Sequence, residues 1–94
     1  MTDKSDVAAA ERIAQIRAEI DEIDGQLVEL LNQRAERSLQ IRHLKPVVHW
    51  GLYDPAREEE IFGNLAKFNR GPLYADNLRE IYSAILHVSK ELRG

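Results

Sequence analysis

The sequence contains no cysteine, few aromatic residues and no long apolar run. The absence of cysteine excludes disulfides and thiolate metal sites, and the three scattered histidines show no metal-ligand spacing, so neither a metal nor another cofactor is predicted. The formal net charge of -3 and the absence of a basic run interleaved with aromatics predict no binding of nucleic acid. No signal peptide or membrane span is indicated, so the expected location is the cytoplasm.

The remaining pattern predicts one all-α domain over residues 1–94, with residues 1–5 disordered. A first, very long helix is predicted from Asp6 to Lys45, and Pro46 ends it. Its apolar stripe steps by three or four residues from Ile13 to Leu30 and resumes at Ile41 and Leu44. A loop over 47–53 precedes a second helix, for which Asp54 is the N-cap and which ends near Asn69. A third helix is predicted over about 76–92. The sequence therefore indicates three helices per chain.

The length of the first helix indicates a homodimer. Forty residues at ~1.5 Å each would form a rod of ~60 Å, whereas a compact monomer of this size has a radius of gyration of ~12 Å. Two shorter helices do not cover such an apolar stripe, and a second copy of the chain is the simplest cover. The alternative is a kink at Gly25, which would divide the rod and allow a monomeric bundle.

Charged side chains occupy positions that each apolar stripe would assign to the interior. Arg34 and Arg37 continue the stripe of the first helix, and Glu58 begins that of the second. Charges on a buried face are costly unless they are paired. Two interpretations remain open at this point: structural ion pairs, such as Glu58 with either arginine, or an anion pocket that includes one carboxylate.

Two segments at a specific separation resemble the signature of the all-helical chorismate mutases. The first is IRAEIDEIDGQLVELLNQR, which contains Arg17 and Arg34, and the second is YDPAREEE, with Lys45 of RHLKP between them. The resemblance covers about residues 12–93. It implies a three-helix protomer, an intertwined homodimer with paired long helices, and two active sites that each borrow one arginine from the other chain.

Helix geometry supports the borrowing. Arg17 and Lys45 would lie ~42 Å apart along one straight helix, a distance that no substrate of the size of chorismate spans. If both residues serve one site, Arg17 must come from the partner chain.

The resemblance implies conversion of chorismate to prephenate. This rearrangement is pericyclic, so it requires no nucleophile, general base or metal, and an enzyme contributes orientation and stabilisation of charge on the ether oxygen. By resemblance, Arg17 of the partner and Arg34 bind the two carboxylates. Lys45 donates a hydrogen bond to the ether oxygen.

The same resemblance assigns roles to residues after the loop. Glu58 and the backbone near Asp54 would bind the ring hydroxyl, Arg57 would complete the polar wall, and Ser89 would contact a carboxylate. The family commonly has a glutamine four residues after this serine, as a second donor to the ether oxygen. Here that position is Arg93, which could donate the same bond or extend into solvent.

A second departure from the family pattern is the loop after Lys45, where Pro46 follows directly and Trp50 could cover the site or simply pack. Two other functions remain as alternatives: a lyase that removes pyruvate from isochorismate on the same scaffold, and a non-catalytic helical dimerisation or regulatory module. The chain could act alone, or it could be fused to or associated with another enzyme of aromatic biosynthesis.

Overall fold

The computed structural model describes residues 3–46 and 54–93. Across these residues it contains three α-helices and no strand: α1 (Lys4–Leu44), α2 (Pro55–Phe68) and α3 (Ala75–Glu91). The all-helical class and the three predicted helices are thus confirmed. The predicted loop over 47–53, including Trp50, lies outside the described residues.

Helix α1 begins at Lys4, before the predicted start at Asp6 and within the segment 1–5 that was predicted to be disordered; residues 1–2 lie outside the described residues. Lys4 and Ser5 are helical, and the amide of Val7 donates to the carbonyl of Asp3 at 3.1 Å, which closes the first turn. Asp6 adds a negative charge at the positive end of the helix dipole and so favours this earlier start. Helix α1 also continues through Gly25, so the alternative of two helices divided there is not observed.

The chain divides into two compact units, Met1–Arg34 and Ala35–Gly94. The described part of the first unit is almost entirely one helix, which cannot cover its own apolar stripe. Side chains along this stripe are 39–58% exposed: Ile13, Ile16, Ile20, Ile23, Leu27 and Leu30. The first unit therefore presents a continuous apolar surface.

In the second unit, local hydrogen bonds set the ends of α2 and the turn that follows it. Pro55 occupies the first turn of α2, where its missing N–H costs nothing. After α2, the Asn69 side chain accepts from the amide of Gly71 at 2.9 Å and donates to the carbonyl of Leu73 at 2.9 Å. Gly71 has a φ of 75°, which a residue without Cβ adopts readily, and the Gly71–Pro72 bond is cis.

Helices α2 and α3 pack against each other after this turn. The Arg79 guanidinium lies 4.1 Å from the centroid of the Phe62 ring, which adds a cation–π contact between them. The side chains that become half-buried include Ile61, Phe62 and Leu65 of α2 and Leu78, Ile85 and Leu86 of α3.

None of the described residues is fully buried within the single chain. Phe68 of α2 is 74% exposed and Val88 of α3 is 55% exposed, because one chain supplies too few neighbours to cover them. Among the described helices, none combines the length and apolar character needed to cross a membrane.

Candidate active site

The predicted site residues of the second unit lie at three helix ends. Lys45 directly follows α1, Asp54 and Glu58 lie at the beginning of α2, and Ser89 and Arg93 lie at the end of α3. Two neighbouring residues connect these ends: Arg42 contacts the end of α3, and Lys90 contacts Glu58 of α2.

Asp54 fixes the beginning of α2. Its carboxylate Oδ1 accepts a hydrogen bond from the amide of Arg57 at 3.0 Å, which satisfies one of the unpaired N–H groups of the first turn. The predicted N-cap is thus confirmed. This hydrogen bond defines the start of α2, and Glu58 follows one turn later.

Glu58 forms an ion pair with Lys90 of α3. The Lys90 Nζ lies 2.7 Å from Glu58 Oε1, and the two side chains are 50% and 29% exposed. One of the two interpretations of the sequence paired Glu58 with Arg34 or Arg37; the ion pair that the structure describes for this carboxylate is instead with Lys90. Arg37 lies near its neighbour Glu36, at 3.6 Å between Nη1 and Oε2.

Arg42 of α1 binds the C-terminal end of α3. Its Nη2 donates to the carbonyls of Ser89 at 2.8 Å and Lys90 at 3.0 Å, and its Nη1 donates to the carbonyl of Leu92. The last four carbonyls of a helix have no partner within the helix, and a cation there also complements the helix dipole. One half-buried guanidinium therefore joins the last turn of α1 to the last turn of α3.

Ser89 lies on the half-buried face of α3, and its hydroxyl donates to the carbonyl of Ile85 at 2.9 Å. This bond to the preceding turn is common for a helical serine. To donate to a substrate carboxylate instead, the hydroxyl must rotate away from this carbonyl. The structure thus places Ser89 on the half-buried face, in a conformation that donates within its own helix.

The other cations of the second unit differ in exposure. Lys45 is half-buried, and its amide donates to the carbonyl of Ile41 at 2.9 Å, which extends the hydrogen bonding of α1 by one residue. Arg57 is exposed and lies 3.8 Å from Glu60, a surface pair of small energetic value. Arg93 is exposed just beyond the end of α3.

The remaining predicted site residues, Arg17 and Arg34, belong to the first unit. Both lie on α1, where Arg17 is exposed and Arg34 is half-buried. Seventeen residues of helix place them about 26 Å apart along the axis. A small dicarboxylate cannot contact both arginines of one chain.

Two residues that hold these helix ends together, Arg42 and Lys90, were not predicted from the sequence. Their signal was weak: Arg42 lies one turn before Lys45, and Lys90 directly follows Ser89. Position in the sequence indicated that they are neighbours of candidate site residues. It did not indicate which helix they contact.

Comparison with known proteins identifies the class to which this fold and these residues belong. The family described as chorismate mutase type II matches residues 16–94. The chain therefore belongs to the type II chorismate mutase family.

Individual proteins agree with this assignment. The solved chorismate mutase of Thermus thermophilus (Form II) superposes with a TM-score of 0.83 at 31% identity, covering 86% of this chain and 92% of that one. A chorismate mutase of Methanocaldococcus jannaschii is 26% identical over 84 residues, which is 88% of this chain and 85% of that protein.

Longer proteins are also similar. A bifunctional chorismate mutase/prephenate dehydratase of Aquifex aeolicus is 32% identical in an alignment that covers 88% of this chain. The match spans only 25% of that protein, and it spans 22% and 26% of two further bifunctional relatives. The chain thus corresponds to about a quarter of the length of these relatives.

Proposed function

We propose that this chain converts chorismate to prephenate in an active site that a second copy of the chain completes. The activity rests on family membership across residues 16–94. The observation that carries the shared site is the separation of Arg17 and Arg34 by about 26 Å on one continuous helix. If both arginines bind the carboxylates of one substrate molecule, they must come from different chains.

The exposed stripe of α1 supports the second copy. Large apolar residues from Ile13 to Leu30 are about half exposed, and a soluble monomer rarely leaves such a continuous apolar surface in water. Covering the exposed half of each of these side chains would contribute about 1 kcal/mol per residue. Pairing with the same stripe of another chain covers both surfaces at once, which is the usual arrangement of a two-fold dimer.

The proposed chemistry requires only groups that this chain possesses. Chorismate carries two carboxylates, and its rearrangement moves negative charge onto the ether oxygen as the C–O bond breaks. Arg34 and the partner's Arg17 bind the carboxylates as planar forks. Lys45 donates to the ether oxygen and stabilises the charge that develops there, an effect that is largest in a site shielded from water.

Residues at the beginning of α2 and at the end of α3 make the remaining contacts with the substrate. Glu58 accepts from the ring hydroxyl, beside the backbone that Asp54 holds, while Arg57 closes the polar wall. The hydroxyl of Ser89 turns from the Ile85 carbonyl to a substrate carboxylate. Arg93 offers a second donor to the ether oxygen, from the position just beyond α3.

The proposal also includes the cellular location, the cofactors and the partners of the protein. The cytoplasmic location and the absence of a metal or other cofactor remain predictions from the sequence. Because similar proteins carry a prephenate dehydratase in the same chain, fusion or association with another enzyme of aromatic biosynthesis is also proposed.

A spectrophotometric assay with purified protein tests the activity. We expect loss of the chorismate absorbance with prephenate as the product and without release of pyruvate. A folded dimer that leaves chorismate intact but releases pyruvate from isochorismate would be a lyase on the same scaffold. One that acts on neither compound would be a non-catalytic dimerisation module.

A further inference from the structure

We propose that Arg42 is a positioning residue, which sets the place of the substrate-binding groups on α3 and, through Lys90, of the Glu58 carboxylate on α2. This inference rests on the proposed function. It assigns a role to a residue that neither the sequence pattern nor the family resemblance singled out.

Arg42 acts directly on the C-terminal end of α3. Arg42 donates to three carbonyls, those of Ser89, Lys90 and Leu92, so it holds both the final helical turn and the residue beyond it. Because the guanidinium is planar and offers five donors in a fixed fork, these bonds define an orientation as well as a distance. The backbone that carries Ser89 and leads to Arg93 is therefore fixed relative to the last turn of α1.

Lys90 connects this end of α3 to α2. The carbonyl of Lys90 accepts from Arg42 at 3.0 Å, while its ammonium group lies 2.7 Å from the Glu58 carboxylate. A single residue of α3 thus contacts α1 through its backbone and α2 through its side chain. If the end of α3 moves, the ammonium that orients Glu58 moves with it.

Arg42 also lies close to Lys45 along the chain. It lies three residues before Lys45, so the turn of α1 that anchors α3 is the turn that leads to the proposed donor to the ether oxygen. Arg42 would thereby hold the groups that contact a carboxylate and the ring hydroxyl in register with Lys45. If these groups are displaced, their contacts with the bound substrate weaken, which raises KM.

The test compares Arg42→Gln and Arg42→Lys with Arg70→Gln, which changes an exposed arginine in the turn before α3. Steady-state kcat and KM for chorismate are measured on the intact protein, together with its thermal unfolding. In the proposed function Ser89 and Glu58 contact the bound substrate, so their displacement weakens binding and raises KM. We expect KM to increase at least fivefold in Arg42→Gln, and by less in Arg42→Lys, which retains the charge but not the fork.

Separate values of kcat and KM distinguish a positioning role of Arg42 from a purely structural one. A variant that only unfolds more readily contains less active protein, which lowers the apparent kcat and leaves KM unchanged. Unchanged KM in Arg42→Gln would therefore overturn the proposal. If that variant does not fold, Arg42→Lys decides by the same criterion. If the proposed function is wrong, the wild type itself does not consume chorismate. If only the role of Arg42 is wrong, the wild type and Arg70→Gln are both active and Arg42→Gln has an unchanged KM.

Discussion

The ammonium group of Lys90 lies 2.7 Å from the carboxylate of Glu58 and connects the last turn of α3 to the first turns of α2. In the proposed site this carboxylate accepts the hydrogen bond of the ring hydroxyl. Glu58 is the less exposed partner of this pair, at 29% against 50% for Lys90.

Removal of this ion pair should weaken substrate binding more than it weakens the fold. Without Lys90 the Glu58 carboxylate is free to turn toward another cation, so we expect Lys90→Met to raise KM several-fold. Because the lysine is half exposed, the free energy of unfolding should fall by no more than about 1 kcal/mol. Steady-state kinetics and urea unfolding measure the two effects, with Lys67→Met, an exposed lysine of α2, as the control. If Lys90→Met and the wild type had identical KM values, the orientation of Glu58 in the site would not depend on Lys90.

The protein should be a dimer at micromolar concentration. Sedimentation equilibrium is expected to give twice the 10.8 kDa mass of one chain. Ile20→Glu places a charge on the exposed apolar stripe of α1 and should shift the equilibrium toward monomer. Ala18→Glu, on the opposite face of the helix, should not. A wild-type mass near 10.8 kDa would contradict both the dimer and the shared site.

Two cations should dominate turnover. Arg34→Ala and Lys45→Ala each remove a preoriented charged donor, and comparable losses in oxyanion sites cost about 2.7–4 kcal/mol, or a hundredfold to a thousandfold in rate. The variants should remain folded by circular dichroism. Arg70→Ala and Lys67→Ala provide matched exposed controls that are expected to retain full activity. Efficiency above about a tenth of wild type, equivalent to a loss of only about 1.4 kcal/mol, would show that the assigned role is wrong.

Arg93 occupies the position where the family resemblance implies a glutamine. If Arg93 donates to the ether oxygen, Arg93→Gln should be tolerated because an amide donates a similar bond. Arg93→Ala should lose activity, and Arg93→Glu should be poor at neutral pH because a carboxylate donates only when protonated. Since arginine keeps its charge throughout the working range, wild-type activity should not require acid. An Arg93→Ala enzyme with unchanged kcat and KM would remove this exposed residue from the site.

The sequence predicted the helices well because their signals are local. Proline and the Asp54 cap mark helix ends, and apolar spacing marks the faces. The largest difference is the start of α1, at Lys4 instead of Asp6, since a helix end depends on a few weak terminal bonds.

The contacts of Arg42 and Lys90 were not predictable in this way. Helical periodicity defines the face on which a residue lies, but it does not define which helix end meets that face. Both contacts join segments more than thirty residues apart in the sequence, so they depend on how the helix ends pack. The same reason explains why the sequence offered Arg34 or Arg37 as partners of Glu58, whereas the structure describes Lys90.

Mixing two inactive variants tests the shared site most directly. Arg17→Ala and Lys45→Ala homodimers should each be nearly inactive. In a heterodimer of the two, one site carries both substitutions and the other carries neither. Equal amounts refolded together should therefore recover about a quarter of wild-type activity if the chains pair at random. No recovery, in a sample shown by native mass spectrometry to contain heterodimers, would contradict an active site that borrows Arg17 from its partner.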